Sequence, residues 1–367
     1  MGNHARPESG MSAQSPIPLS GFLRMRKPPF VLLLTCAGRK VALANQFRQA
    51  FDELDLDGQI IGVDSSSHSA VLSVCDKSYL IPRCDHSEYV PTLLEVCRQH
   101  RVQLLLPLID VDLLVLAEHR ERFSDIGTLA MVSSLPVVQI CRDKESTSRF
   151  FEERGIPTVC NLSIEDVRRG DVPYPVFIKP SNGSGSQHAY KIHNREELDF
   201  FSRYVPRPML QEFAIGQEFT VDVLCDLDGR VINAVPRRRL EVRAGEISKG
   251  VTCKDWRIIR ATVDLANKLG GVGPLTVQCF ASGDTDSEIR FTEINPRVGG
   301  GLPLSVAAGA NYPKQIIRMA LGQTIEPCVG DFADEFYMFR YEEGVYVPGA
   351  SLADIPSLPD VPQRRVA

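Results

Sequence analysis

The sequence predicts an α/β unit with a mostly parallel sheet, followed by an α+β half with antiparallel pairing. Three observations carry this. From residue 30 to about 140, short apolar runs alternate with segments of helical period, the pattern of repeated strand–helix–strand units. Beyond about residue 170 strands come in pairs around turn residues, Asp228-Gly229 and Gly283-Asp284. The chain has 367 residues, 43% hydrophobic and 24% charged, enough for two or three compact units with a sizeable core.

Residues 1–28 are rich in Pro, Ser and Gly and read as a disordered tail. Phe30 to Leu34 is a continuous apolar run, as in a buried parallel strand. A turn over Thr35–Lys40 leads into a helix marked by Leu43, Phe47, Ala50, Phe51 and Leu54. Ile60–Val63 is a second strand, Pro91–His100 a helix, and Leu104–Leu106 a third strand closed by Pro107. The right-handed crossover rule then gives an α/β domain over residues 29–140. Asp143 is the expected N-cap of a helix reaching Arg154, with Gly155 at its end and Pro157 preventing continuation. Thereafter strands are expected near 176–179, 209–212, 218–226, 230–238, 273–281 and 288–294. Helices are expected at 195–204, 255–269 and 312–321. This second domain spans 141–330, and 331–367 is a partly loose extension.

The net charge of -5 offers no general attraction to nucleic acid or an anionic membrane. No apolar run approaches the roughly 18 residues of a membrane span. The ten cysteines form no CxxC pair or metal-ligand cluster, so they read as reduced thiols in a cytoplasmic protein. Gly38 stands alone at the first turn without GxGxxG, which argues against an NAD-binding oxidoreductase.

Three constellations carry chemistry. In the first, a strand delivers Lys179 and the small-residue loop Ser181, Asn182, Gly183, Ser184, Gly185, Ser186 follows. Backbone N–H groups in such a loop can surround phosphate oxygens, and the lysine adds a point charge. In the second, Gln211-Glu212-Phe213 ends one strand and Glu218 begins the next. Glu212 and Glu218 are spaced to line one cleft edge, where a nucleoside needs a carboxylate for its ribose. The third is the sharpest. Glu293 and Asn295, two apart on one strand, face the same way, and Gln278 can lie across from them. Three oxygen donors on one sheet face suit Mg²⁺. Arg297 then projects beside them, able to hold a carboxylate or phosphoryl oxygen. Gly299-Gly300-Gly301 lets the backbone pass close to a ligand.

Taken in order, these stretches resemble the ATP-grasp superfamily, and within it the carbamoyl phosphate synthase large subunit and similar free-standing carboxylate–amine ligases. The match covers about residues 30–325. The resemblance implies a Rossmann-like pre-ATP-grasp domain, helping to form the acceptor site, and a two-lobed ATP-grasp domain with a lid near 174–211. It implies ATP and two Mg²⁺ as cofactors, with Mn²⁺ as an alternative ion. Lys144 and Lys179 would contact phosphates, and residues 182–187 would close over them. Gln211, Glu212 and Phe213 would lie at the adenine and Glu218 at the ribose. Gln278, Glu293 and Asn295 would ligate the metals, and Arg297 would steady an acyl phosphate. A glutamine at 278, where the family often has a carboxylate, fits the synthase-like branch.

Between these motifs lie Arg237, Arg239 and Lys249. Arg237 and Arg239 share a strand face, and one of them with Lys249 is expected to receive a substrate carboxylate or the γ-phosphate. The expected activity is ATP-dependent amide formation through an acyl phosphate, on an amino acid or small peptide. The alternatives are bicarbonate activation and a non-catalytic ATP-binding module. The partners are small molecules, with neither nucleic acid nor membrane, and the family's habit allows a homodimer.

Overall fold

The computed structural model describes residues 1–2, 29–183, 187–243, 245–282 and 288–359. The expected N-terminal tail and the Gly283-Asp284 turn fall outside these.

Five strands build the leading sheet: β1 (Phe30–Thr35), β2 (Gly58–Asp64), β3 (Lys77–Leu80), β4 (Leu104–Pro107) and β5 (Leu129–Ala130). All pair in parallel, in the order β3-β2-β1-β4-β5. Every residue of β1 is buried. Phe30, Leu32 and Leu34 share a core with Leu43, Phe47 and Phe51 of helix Val41–Glu53. Val31 and Leu33 share the opposite core with Leu93, Leu94 and Cys97 of helix Tyr89–His100. The strand order reverses between β1 and β4, the position at which open α/β sheets bind ligands.

A small antiparallel sheet follows, ordered β6-β9-β7-β8, from β6 (Asn161–Leu162), β7 (Val176–Pro180), β8 (Tyr190–Ile192) and β9 (Pro208–Glu212). The helix before it is capped as expected, the Asp143 carboxylate accepting from Ser146 N at 2.8 Å. A larger antiparallel sheet comprises β10 (Gln217–Cys225), β11 (Val231–Arg243), β12 (Glu246–Thr252), β13 (Gly273–Ala281), β14 (Arg290–Asn295) and β15 (Tyr337–Phe339). Its order is β14-β13-β10-β11-β12-β15. Parallel first sheet and antiparallel second half are as the sequence predicts. Strand β12 was not expected, since its Ser-Lys-Gly centre lacks strand-forming residues. The turn at Asp228-Gly229 is wider than a two-residue hairpin. Cys225 pairs with Val231, and the Asp226 side chain accepts from Asp228 N and Arg230 N to organise the loop.

Glycine loop 299–301 follows β14 and leads into helix Leu302–Ala307. Beneath it lies a fully buried ion pair. Arg237 on β11 grips both oxygens of Asp222 on β10, at 2.7 and 2.8 Å, and Ser305 Oγ donates to the same carboxylate at 2.5 Å. A Cβ on Gly301 would lie 2.1 Å from the Arg237 guanidinium, and one on Gly299 would lie 2.9 Å from Asp222. The three glycines therefore serve close approach to this pair, and to Glu246 over Gly300, rather than to a ligand as expected.

Removing one partner leaves a charge buried without compensation. Arg237→Leu should cost about 3–5 kcal/mol in urea unfolding, while the double replacement Asp222→Leu/Arg237→Leu should recover part of it. A single-variant loss under about 1 kcal/mol would show that the pair does not hold the loop.

Candidate active site

A cavity of about 430 Å³ opens between the small sheet and the larger one. Lys144, Lys179, Asn182, Gly183, Gln211, Glu212, Phe213, Glu218, Gln278 and Glu293 all line it. Sequence positions from 144 to 293 thus converge on one space. Phe177, Phe280 and Val159 supply an apolar part, as a planar base requires.

Lys179 sits on β7, whose alternation turns it inward while Val176 and Ile178 enter the core. It is 8% exposed. Burial pushes its ammonium down to about 8; Glu293 opposes the shift and Lys144 adds to it. Lys144 begins the helix Lys144–Glu153, and its Nζ donates to Gly183 O at 2.7 Å, tying the helix start to the loop after β7. Ser181 is buried away from the cavity lining. Its N–H donates to Arg207 O and its carbonyl accepts from Lys144 N, so its backbone is a seam rather than a phosphate cradle. Ser184, Gly185 and Ser186 lie outside the described residues. Past them, Gln187 of the expected loop lines the same cavity, and so do His188 and Ala189, which the motif did not reveal.

The strand pair at the far side bends at Gly216, whose φ of +119 and closeness to the Ala281 carbonyl exclude a side chain. Gln211 donates to Asn161 Oδ1 at 2.9 Å. Glu212 Oε1 accepts from Cys160 N at 3.0 Å and from Arg290 at 2.8 Å. Phe213 lies under the Lys191 ammonium, 4.1 Å from the ring centre. Glu218 pairs with Arg239 at 3.0 Å, both lining the cavity.

Gln278 on β13 is in direct register with Glu293 on β14. Asn295 Nδ2 donates to Glu293 Oε1 at 2.9 Å, so the two share a face, as the two-residue spacing predicts. Asn295 sits one position deeper and is 9% exposed, outside the cavity lining itself. Among the described residues there is no cluster of three His, Cys, Asp or Glu fit for a metal. The donor set is instead one carboxylate with two amides. Those are hard oxygen ligands, and the Asn295 oxygen takes no part in the bond to Glu293, so the set fits Mg²⁺ that draws its remaining ligands from phosphates.

Two expectations are corrected. Lys249 does not reach the cavity. Arg239 faces Gly250 across the strand pair, so alternation turns Lys249 to the other face, where it pairs with Glu241 at 2.6 Å. Arg237 receives no substrate carboxylate, because Asp222 occupies it. Arg297 leaves β14 toward the leading sheet and donates to Asp110 at 2.7 Å.

Fold and cavity define the class of protein: a nucleotide-sized cleft clasped between two antiparallel sheets behind a parallel one. Residues 32–132 match a family model for a PylC-like N-terminal domain, and residues 205–342 match one for the ATP-grasp of a biosynthetic pathway with the Ter operon. The chain is 22% identical over 320 residues to a carbamoyl-phosphate synthase of Methanobrevibacter smithii, covering 81% of this chain and 85% of that one. It is 24% identical over 226 residues to the carbamoyl phosphate synthase large chain of Agathobacter rectalis, covering 56% of this chain but 21% of that one. The biotin carboxylase domain of Hydrogenobacter thermophilus 2-oxoglutarate carboxylase, solved with MgADP, ADP and bicarbonate, superposes with a TM-score of 0.67. It is 19% identical, with 83% of this chain and 73% of that one covered. Staphylococcus aureus N5-carboxyaminoimidazole synthetase with ADP gives a TM-score of 0.64 at 14% identity, covering 82% and 80%. The chain thus carries a match to a PylC-like N-terminal domain followed by a match to an ATP-grasp domain, and its relatives include carbamoyl phosphate synthases. Among the described residues no helix is long and apolar enough to cross a membrane.

If phosphates meet Lys179, they meet its charged form, which is lost as pH rises through about 8. The dissociation constant for ADP should then climb above about pH 8, by up to about tenfold per unit, in calorimetric titrations. Lys179→Arg stays charged and should flatten the profile. A wild-type profile flat from about pH 7 to about pH 9.5 would contradict the contact.

Proposed function

We propose that this chain is an ATP-dependent carboxylate–amine ligase that joins an amino acid or small peptide to an amine. One observation carries the reading. Lys179, from the small sheet, and the Gln278–Glu293 pair, from the larger sheet, face a single cavity although Lys179 and Gln278 lie 99 positions apart. The pre-ATP-grasp domain would span 29–140 and the ATP-grasp domain 141–330, with residues 174–211 as its lid.

In the mechanism, Phe177, Phe213 and Phe280 enclose the base, and Glu218 accepts from a ribose hydroxyl once Arg239 shares it. Lys144 and Lys179 balance phosphate charge, and Lys179 binds in its protonated form. Gln278, Glu293 and Asn295 would hold the magnesium ions. When bound, Mg²⁺ neutralises charge that builds on the phosphoryl oxygens during transfer. The substrate carboxylate oxygen attacks the γ-phosphorus, and the bond to ADP breaks. The amine then attacks the acyl carbon, phosphate leaves, and an amide remains. No side-chain nucleophile is needed. The acyl phosphate is an anhydride, so the small sheet and its loop must exclude water until the amine arrives.

The solved neighbours include a bicarbonate complex, which supports testing bicarbonate as the activated acid. Phosphate release from MgATP should be screened over paired amino acids and, separately, over bicarbonate alone. Release that needs both a carboxylate and an amine is the expected result. Release with bicarbonate alone would replace the proposal, and tight ATP binding with no release under any condition would indicate a binding module. Glu293→Gln should lower release at least about 100-fold with the circular dichroism spectrum unchanged; undiminished release would remove the metal assignment.

A further inference from the structure

Arg297 and Asp110 join the end of the strand that carries Glu293 to the carboxyl edge of the leading sheet. Arg297 stands two residues past the end of the strand that carries Glu293 and Asn295. Asp110 follows β4 and stands where the leading sheet reverses its strand order, a place where α/β sheets bind ligands. The pair is half-buried, Arg297 at 18% and Asp110 at 30% exposure, at 2.7 Å.

The carboxyl ends of the leading sheet are acidic here. Asp64 ends β2 and accepts from Gly38 N and Ser66 N. Asp112 is completely buried, with Oδ2 accepting from Thr35 and Tyr89. Its Oδ1 is buried with no hydrogen-bond partner. An amide-forming reaction brings together one anion, the carboxylate, and one cation, the ammonium form of the amine. Arg297 and Asp110 carry the complementary charges, and in the structure each satisfies the other.

We infer that Asp110 is the specificity-determining anchor for the amine substrate, released when the acyl substrate takes Arg297. The inference rests on the ligase reading above. With Arg297 turned to the acyl group, the Asp110 carboxylate holds the ammonium at the ends of β1 and β4 and takes its proton, and the free amine then attacks the acyl carbon as phosphate leaves. A cationic amine is selected over a neutral nucleophile of similar size.

Hydroxylamine, uncharged at neutral pH, provides the comparison. The full chain is supplied with MgATP and the carboxylate that releases phosphate fastest in the amino-acid screen. Turnover is then measured with the preferred amine and with hydroxylamine. In Asp110→Asn the ratio of amide to hydroxamate formation should fall at least about tenfold, and Asp110→Glu should restore much of it. A residue that only braces Arg297 would lower both rates together and leave the ratio unchanged, which would overturn the inference. An unchanged rate with both nucleophiles would overturn it equally. A wild-type chain that forms neither amide nor hydroxamate with any carboxylate would instead overturn the ligase reading, and the inference with it.

Discussion

The position of the site rests on a buried ion pair that never meets a substrate. Arg237 and Asp222 lie inside the larger sheet, each charge satisfied by the other and by Ser305. Their burial is tolerable because every oxygen of the carboxylate is engaged. The guanidinium and carboxylate leave so little space that the crossing backbone must be glycine at 299 and 301. That crossing fixes the exit of β14, and β14 carries Glu293, Asn295 and, just beyond, Arg297. A structural charge pair thus sets the direction in which the chemistry-bearing strand leaves the sheet.

The cavity adds a second constraint. Lys179 is held almost fully buried, opposite one carboxylate and near another lysine, and burial lowers its charge affinity. A lysine in this condition gains most from an anion that enters and displaces water. Glu218 and Arg239 across the same space already neutralise each other. The Glu212–Arg290 ion pair ties the small sheet to the larger one at the edge of this space.

Much of this was legible in the sequence because it was local. Asp143 as an N-cap, Gly155 at the end of its helix, and the shared face of Glu293 and Asn295 follow from spacing alone. The parallel-then-antiparallel fold follows from the change in strand spacing. What failed depended on distant partners. Arg237 and Arg239 look equivalent along the strand, yet only a partner on β10 decides that one is core and the other lines the cavity. Lys249 was misplaced because the residues of β12 do not say which of them stands opposite Arg239, and the register puts Gly250 there. The glycines after β14 signal close approach, but the sequence does not say to what. His188 and Ala189 carry no chemical signature and enter the cavity only through the path of the loop.

The central claim is that the oxygens of Gln278, Glu293 and Asn295 bind divalent metal against a nucleotide held by Lys179. Crystals grown with Mn²⁺ and a non-hydrolysable ATP analogue test it by anomalous scattering. The account predicts manganese peaks at these three side chains, with the analogue's phosphates between them and Lys179. Ordered nucleotide in the cavity with no manganese at Glu293, or manganese bound elsewhere on the chain, would contradict it.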